Sequence, residues 1–347
     1  MFEEQNETIQ QDENPAVEEI NIEPIFVPVT LTEEQKEKLE IKKIARVIGF
    51  SFLLVSAIVL SFSTILLSIF SAIGFDYKKT VEILSEPAVS QVQQIFFSII
   101  IFTFPFVLVC KLCKFRISDL ISFKKVKKGL FLPFFLIGIA VCSLSNIASS
   151  IAGSIFEGMG IDYNVNYGQD PEGIFGFLLS LIATVIVPAL VEEFACRGIV
   201  LGLLRKFGNG FAILVSAILF GLMHSNFEQI PFAMLIGIVL GFVTIKSGSI
   251  WCAVAIHAFN NSISVIYSYF LSSLSVNFQN ISYTLFLTTT LVLGIVGIFL
   301  IRDEDFYEVE KQQTASGLWK KTGFFFTSVP IIIYTAFCII SSLQFFV

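Results

Sequence analysis

Charge is what this sequence has least of. Only 14% of its 347 residues are Asp, Glu, Lys or Arg, against 55% hydrophobic, and the mean hydropathy is +0.81. A soluble domain carries roughly 25% charged residues, so about half the usual solvating groups are missing. A soluble globular enzyme and a disordered chain are both excluded. Basic stripes with interleaved aromatics are absent too, which removes nucleic acid as a partner. Cysteine is sparse: Cys110 and Cys113 form a CxxC, but no second pair completes a zinc site. Cys142, Cys196, Cys252 and Cys338 fall in apolar runs, where Cys packs as a small hydrophobe. There is no HExxH, so the usual zinc-protease helix is missing. No Asp lies inside an apolar run, which excludes an aspartyl dyad, and Ser247 and Ser249 fall at a turn, the wrong depth for a Ser–His pair.

What the chain has is apolar helix. Runs of ~20 apolar residues are long enough to cross a bilayer, and they occur at 46–74, 94–112, 129–153, 174–204, 211–227, 230–246, 250–271, 281–301 and 324–346. The expected fold is all-α, a polytopic membrane bundle of about nine (eight to nine) transmembrane helices. The first run follows a polar stretch and exceeds a signal-peptide core, so it reads as a retained span. Residues 1–30 hold eight acids (Glu3, Glu4, Glu7, Asp12, Glu13, Glu18, Glu19, Glu23) and no base. Such a segment cannot bury enough apolar surface to offset ordering, and residues 1–44 read as a disordered acidic cytoplasmic tail. If nine spans alternate, 20 of the 22 Lys and Arg residues fall on one side, leaving Lys78 and Lys79 on the other. That asymmetry places the N-terminus in the cytoplasm, and the expected location is the cell membrane. The loop 154–173 carries Glu157, Asp162, Asp170 and Glu172 without a base, as an external loop does.

Ionisable groups at bilayer depth are costly and mark function by default. Within the spans these are Glu192, Glu193, Arg197, His224 and His257, the last two being the only histidines, with the amides of Asn260 and Asn261 beside His257. At 1.5 Å of rise per residue, Glu193, His224 and His257 each come to ~17–20 Å from the cytoplasmic end. Two carboxylates and two imidazoles thus reach one level on helices of alternating direction, which argues for one assembled polar site. Glu193 and Arg197 are i,i+4 and pair on one face. Glu192 is rotated ~100° from Glu193 and faces elsewhere. His257 and Asn261 share a face, and Pro188 interrupts the helix just before the carboxylates. Small residues at Gly202, Gly221, Gly237 and Gly241 permit close helix approach. Residue type alone leaves other readings open: satisfied interhelical donors, or a proton path in a transporter, although no inverted repeat accompanies it.

Glu192-Glu193-Phe-Ala-Cys-Arg197, then Phe220-Gly-Leu-Met-His224, then His257-Ala-Phe-Asn-Asn261 resemble the EExxxR, FxxxH and HxxxN/D motifs of the CPBP family. That family includes the type II CAAX prenyl endopeptidases and the Abi proteins of bacteriocin immunity. The resemblance implies a CPBP catalytic core at 172–268, flanked by transmembrane helices at 45–171 and 269–347. It implies an intramembrane endopeptidase in which Glu192, with His224, activates a water, while His257 and Asn261 bind the oxyanion. Glu193, Arg197 and Phe220 would support them. The implied partners are the lipid bilayer and a membrane-associated or lipidated protein or peptide substrate. Family members have been labelled metalloproteases and also metal-independent glutamate proteases. No metal is favoured here, but Zn would be held by Glu192, His224 and His257 if present. The alternative function is non-enzymatic, in bacteriocin self-immunity or as a partner-binding scaffold.

Overall fold

A computed structural model describes residues 30–160, 169–301 and 312–344. Among the described residues every regular element is helical, as the apolar runs require: in lipid a backbone must satisfy its own hydrogen bonds. The helices are α1 (Glu33–Ala72), α2 (Tyr77–Ser85), α3 (Pro87–Leu112), α4 (Phe131–Gly158), α5 (Gly173–Phe207), α6 (Asn209–Leu222), α7 (Gln229–Ser247), α8 (Trp251–Ile266, continued by a π turn over Tyr267–Leu271), α9 (Val276–Leu300), α10 (Leu318–Phe326) and α11 (Val329–Leu343). Large apolar side chains such as Leu60, Phe96, Val292 and Phe299 stand exposed along α1, α3 and α9. On a soluble protein they would be a liability; here they form the lipid-facing surface.

The span count differs from nine. Six helices (α1, α3, α4, α5, α7 and α9) are long and apolar enough to cross a membrane, and α10 with α11, bent by 80°, makes a seventh if counted as one span. The runs 211–227 and 250–271 drop out. Helix α6 has 14 residues, ~21 Å of rise, short of the ~30 Å hydrocarbon core. It stops because the next residues are turn-formers: Ser225 takes φ 47°, and Asn226 Oδ1 accepts from the Glu228 and Gln229 backbone N–H groups at 2.9 and 3.3 Å, starting α7. Helix α8 carries His257, Asn260, Asn261, Ser262 and Ser264 along its length. The two helices that leave the count are those that bring the histidines.

Helix α1 begins at Glu33, so residues 33–44, assigned to the tail by charge alone, are helical. Thr32 caps it: its Oγ1 accepts from Gln35 N at 3.2 Å and Gln35 Oε1 accepts from Thr32 N at 2.9 Å, a reciprocal capping box. Residues 1–29, with the acidic run, lie outside the described residues. Ion pairs gather three segments at one end of the bundle, Lys206 with Glu40 at 2.7 Å and Lys320 with Glu34 at 2.6 Å. At the turn between α7 and α8, Ser249 Oγ donates to Lys124 O and Ser122 Oγ to Gly248 O, at 2.6 and 2.7 Å. Ser249 of that turn and Ser122 of the facing loop therefore stitch the two loops together, while Ser247 Oγ donates within the turn to Ser249 O at 3.0 Å.

Candidate active site

Helix α5 is not a uniform α-helix. π turns cover Leu181–Ile186 and Phe194–Val200, with the α segment Val187–Glu193 between them. Pro188 explains the first: it has no N–H for the carbonyl four residues back, and its ring crowds that carbonyl, which belongs to Thr184. A widened turn relieves the crowding. The released acceptor is used across the bundle, where Asn261 Nδ2 of α8 donates to Thr184 O at 3.1 Å. Proline thus converts a helix defect into an interhelical tie about two turns before the carboxylates.

One turn on, Glu193 is fully buried and holds two partners. Arg197 Nη1 donates to Glu193 Oε1 at 2.9 Å, with both side chains 0% exposed. His257 Nδ1 lies 2.8 Å from the same oxygen. A carboxylate oxygen accepts, so Nδ1 carries the proton and Nε2 points away from Glu193. Nε2 lies 3.9 Å from Glu192 Oε2, whose side chain is 15% exposed. That separation is too long for a hydrogen bond but lets one water touch both groups. Among the described residues the Glu192 carboxylate makes no hydrogen bond, whereas Glu193 is fully engaged on one oxygen. The adjacent acids therefore differ in kind: one is a structural anion, the other an open acceptor.

Phe220, on α6, is the packing centre. The Arg197 guanidinium carbon sits 4.1 Å from its ring centroid, a cation–π contact made strong by burial. The His224 and His257 rings meet it edge to face, at 5.3 and 5.7 Å. Arg197 Nη2 also reaches Gly237 O on α7 at 3.4 Å. That carbonyl is near because a Cβ on Gly237 would stand 2.9 Å from Ala217 Cα, so α6 and α7 touch backbone to backbone. His224 sits just past the end of α6, and its Nδ1 donates to Phe220 O at 2.8 Å, leaving Nε2 as its outward atom.

The structure therefore brings Glu193, Arg197, Phe220 and His257 into direct contact, sets Glu192 opposite His257, and ties Asn261 to α5. No hydrogen bond or ion pair joins Glu192 to His224 among the described residues. Glu193 as the partner of His257 was not foreseen: the i,i+4 rule reports only its own helix, and this contact joins residues 64 apart. Asn260 is a further amide, donating from Nδ2 to Asn261 Oδ1 at 3.3 Å. A second polar cluster was also missed. Gln91 Nε2 donates to Asp170 Oδ1 and Ser180 Oγ at 3.0 and 2.7 Å, and the Tyr269 hydroxyl lies 3.0 Å from Ser180. Asp170, read as a loop acid, in fact links α3, α5 and the end of α8.

Among the described residues no three His, Cys, Asp or Glu side chains stand together as a metal-ligating group. Of Glu192, His224 and His257, the first and last face each other at 3.9 Å, and no hydrogen bond or ion pair among the described residues brings His224 to either.

No curated protein and no solved structure matches the chain. A family model does match, over residues 174–263, and its description is type II CAAX prenyl endopeptidase Rce1-like. The matched stretch runs from the start of α5 to the middle of α8 and contains every residue of the site just described. This segment belongs to the CPBP family, and at family level it is that of a CAAX-type intramembrane protease.

Proposed function

We propose that this protein is a membrane-embedded endopeptidase in which Glu192 is the general base. The observation that carries the reading is the open Glu192 carboxylate facing a histidine whose other nitrogen is fixed by a buried carboxylate. A water between Glu192 and the outward Nε2 of His224 loses its proton to Glu192 as its oxygen attacks the scissile carbonyl carbon. The carbonyl electron pair moves onto oxygen. His257, from Nε2, and the Asn261 Nδ2 hydrogen not used by Thr184 donate to that oxyanion. On collapse the C–N bond breaks, and the proton held by Glu192 passes to the leaving nitrogen. The buried Arg197–Glu193 pair makes those two charges tolerable at this depth.

In this reading the reaction runs on protein groups alone, because Glu192, His224, His257 and Asn261 already supply a base and oxyanion donors. Membrane peptides from cells with and without the protein, compared by mass spectrometry, should differ by new termini in or beside apolar segments. The activity should persist in a zinc chelator. Identical peptide sets would remove the peptidase reading, and loss of activity restored by added Zn²⁺ would replace the metal-free one.

The same reading sets the end bearing Lys206 and Lys320 in the cytoplasm, where basic residues concentrate. In a Cys113→Ser background, a cysteine at Lys125, Arg205 or Lys320 should resist a membrane-impermeant maleimide in intact cells and react after permeabilisation. External labelling at position 205 would invert the topology.

A further inference from the structure

Next to the site lies a cavity of about 560 Å³, with Ser149, His224, Glu228, Asn260, Asn261 and Tyr283 among its lining residues. It shares His224 and Asn261 with the proposed machinery, so a peptide held in it would present its backbone there. Its lining includes one carboxylate, Glu228, and no Lys or Arg.

Glu228 is half-buried and precedes the first turn of α7. Its backbone is fixed at both ends: N–H donates to Asn226 Oδ1 at 2.9 Å, and the carbonyl accepts from Ser149 Oγ at 3.1 Å. The carboxylate lies against α4 at a residue without a side chain, since a Cβ on Gly153 would stand 3.1 Å from Glu228 Oε1. Among the described residues it has no cation and no hydrogen bond of its own. Nor does the sequence offer one nearby. Helix α7 has 19 residues, so Glu228 stands ~27 Å along its axis from Lys246 and the basic turn. Residues 161–168 contain no Lys or Arg, and Lys78 and Lys79 belong to α2 and do not line the cavity. The helix N-terminus favours an anion here, which accounts for its being tolerated but not for its opening into the cavity. A carboxylate in a membrane bundle calls for a partner, and among the described residues this one has none.

We propose that Glu228 determines substrate specificity by pairing with a Lys or Arg side chain of the peptide that occupies this cavity. The inference rests on the peptidase reading, and the experiment separates the two.

Full-length protein in proteoliposomes is offered matched apolar peptides that vary at one position through Lys, Arg, Gln, Met and Glu. Cleavage is followed by mass spectrometry for the wild type, Glu228→Gln and Glu228→Lys, with Glu192→Gln as the inactive control. The wild type should favour Lys and Arg by roughly tenfold, the low end for a hydrogen bond to a charged group. Glu228→Gln should flatten that preference, and Glu228→Lys should turn it towards Glu. A preference unchanged in Glu228→Gln, or absent in the wild type, overturns the proposal while leaving the peptidase intact. A purely structural Glu228 would lower Tm and slow every peptide alike, which also overturns it. If the wild type cleaves none of them, the peptidase reading fails. Binding of the Lys and Gln peptides, read by fluorescence polarisation, then decides the pairing by itself: equal affinities reject it.

Discussion

Glu192→Gln should reduce peptide cleavage by ~10²-fold or more, the usual range for loss of a general base, while leaving the amount of folded protein in the membrane unchanged. Both halves follow from the geometry. The glutamine keeps the volume and one oxygen of the side chain but cannot accept the proton of an attacking water. The structural anion of the site is Glu193, which holds Arg197 at 2.9 Å and His257 at 2.8 Å; Glu192 has no hydrogen-bond partner to lose among the described residues. Its nearest ionisable contact is His257 Nε2 at 3.9 Å. The measurement is a time course with reconstituted protein on one verified substrate, with Tm recorded for both forms. Wild-type rates for Glu192→Gln would take the base role away from this residue, and a collapse in Tm would make Glu192 a packing element.

The apolar runs made the helical class legible, and the order of the three motifs marked the candidate site, because both signals are local. What escaped is what depends on a second chain segment or on a helix end. Hydropathy counts apolar residues and passes over Ser225-Asn226, whose turn chemistry ends α6. The side chain of Asn226 then starts α7, so the apolar run 211–227 is a shorter helix than it looks. The capping box at Thr32 and Gln35 was present as a Thr-x-x-Gln pattern, yet the surrounding charge drew residues 33–44 into the tail. Pro188 was legible as an interruption. That it frees the Thr184 carbonyl for Asn261 could not be read, since the acceptor and donor sit on different helices. The same holds for Glu193, whose pairing with Arg197 was legible at i,i+4 and whose bond to His257 was not.

Arg197→Ala should act through folding first. Its guanidinium is held by Glu193 at 2.9 Å, by the Gly237 carbonyl at 3.4 Å and by the Phe220 ring at 4.1 Å. It is among the largest fully buried side chains in the protein. Removing it leaves Glu193 with His257 alone, opens a space over Phe220, and frees a ring whose edges position both histidines. Breaking a buried pair from one side costs about 3–5 kcal/mol, enough to lower expression and Tm sharply in a protein of ordinary marginal stability. The pair is not saturated, since Glu193 Oε2 and Arg197 Nε have no hydrogen-bond partner among the described residues, so the loss should fall toward the lower part of that range. Arg197→Lys separates charge from shape: the ammonium can still meet Glu193 but lacks the planar fork that bonds Gly237 and stacks on Phe220. It should therefore recover part of the stability and less of the activity per folded molecule. Detergent-solubilised Tm and active fraction, measured for Arg197→Ala, Arg197→Lys and Glu192→Gln side by side, give the order expected: wild type and Glu192→Gln alike in stability, Arg197→Lys below them, Arg197→Ala lowest. An Arg197→Ala protein as stable as the wild type would mean that His257 alone satisfies Glu193, and would move the anchor of the site from the arginine to the histidine.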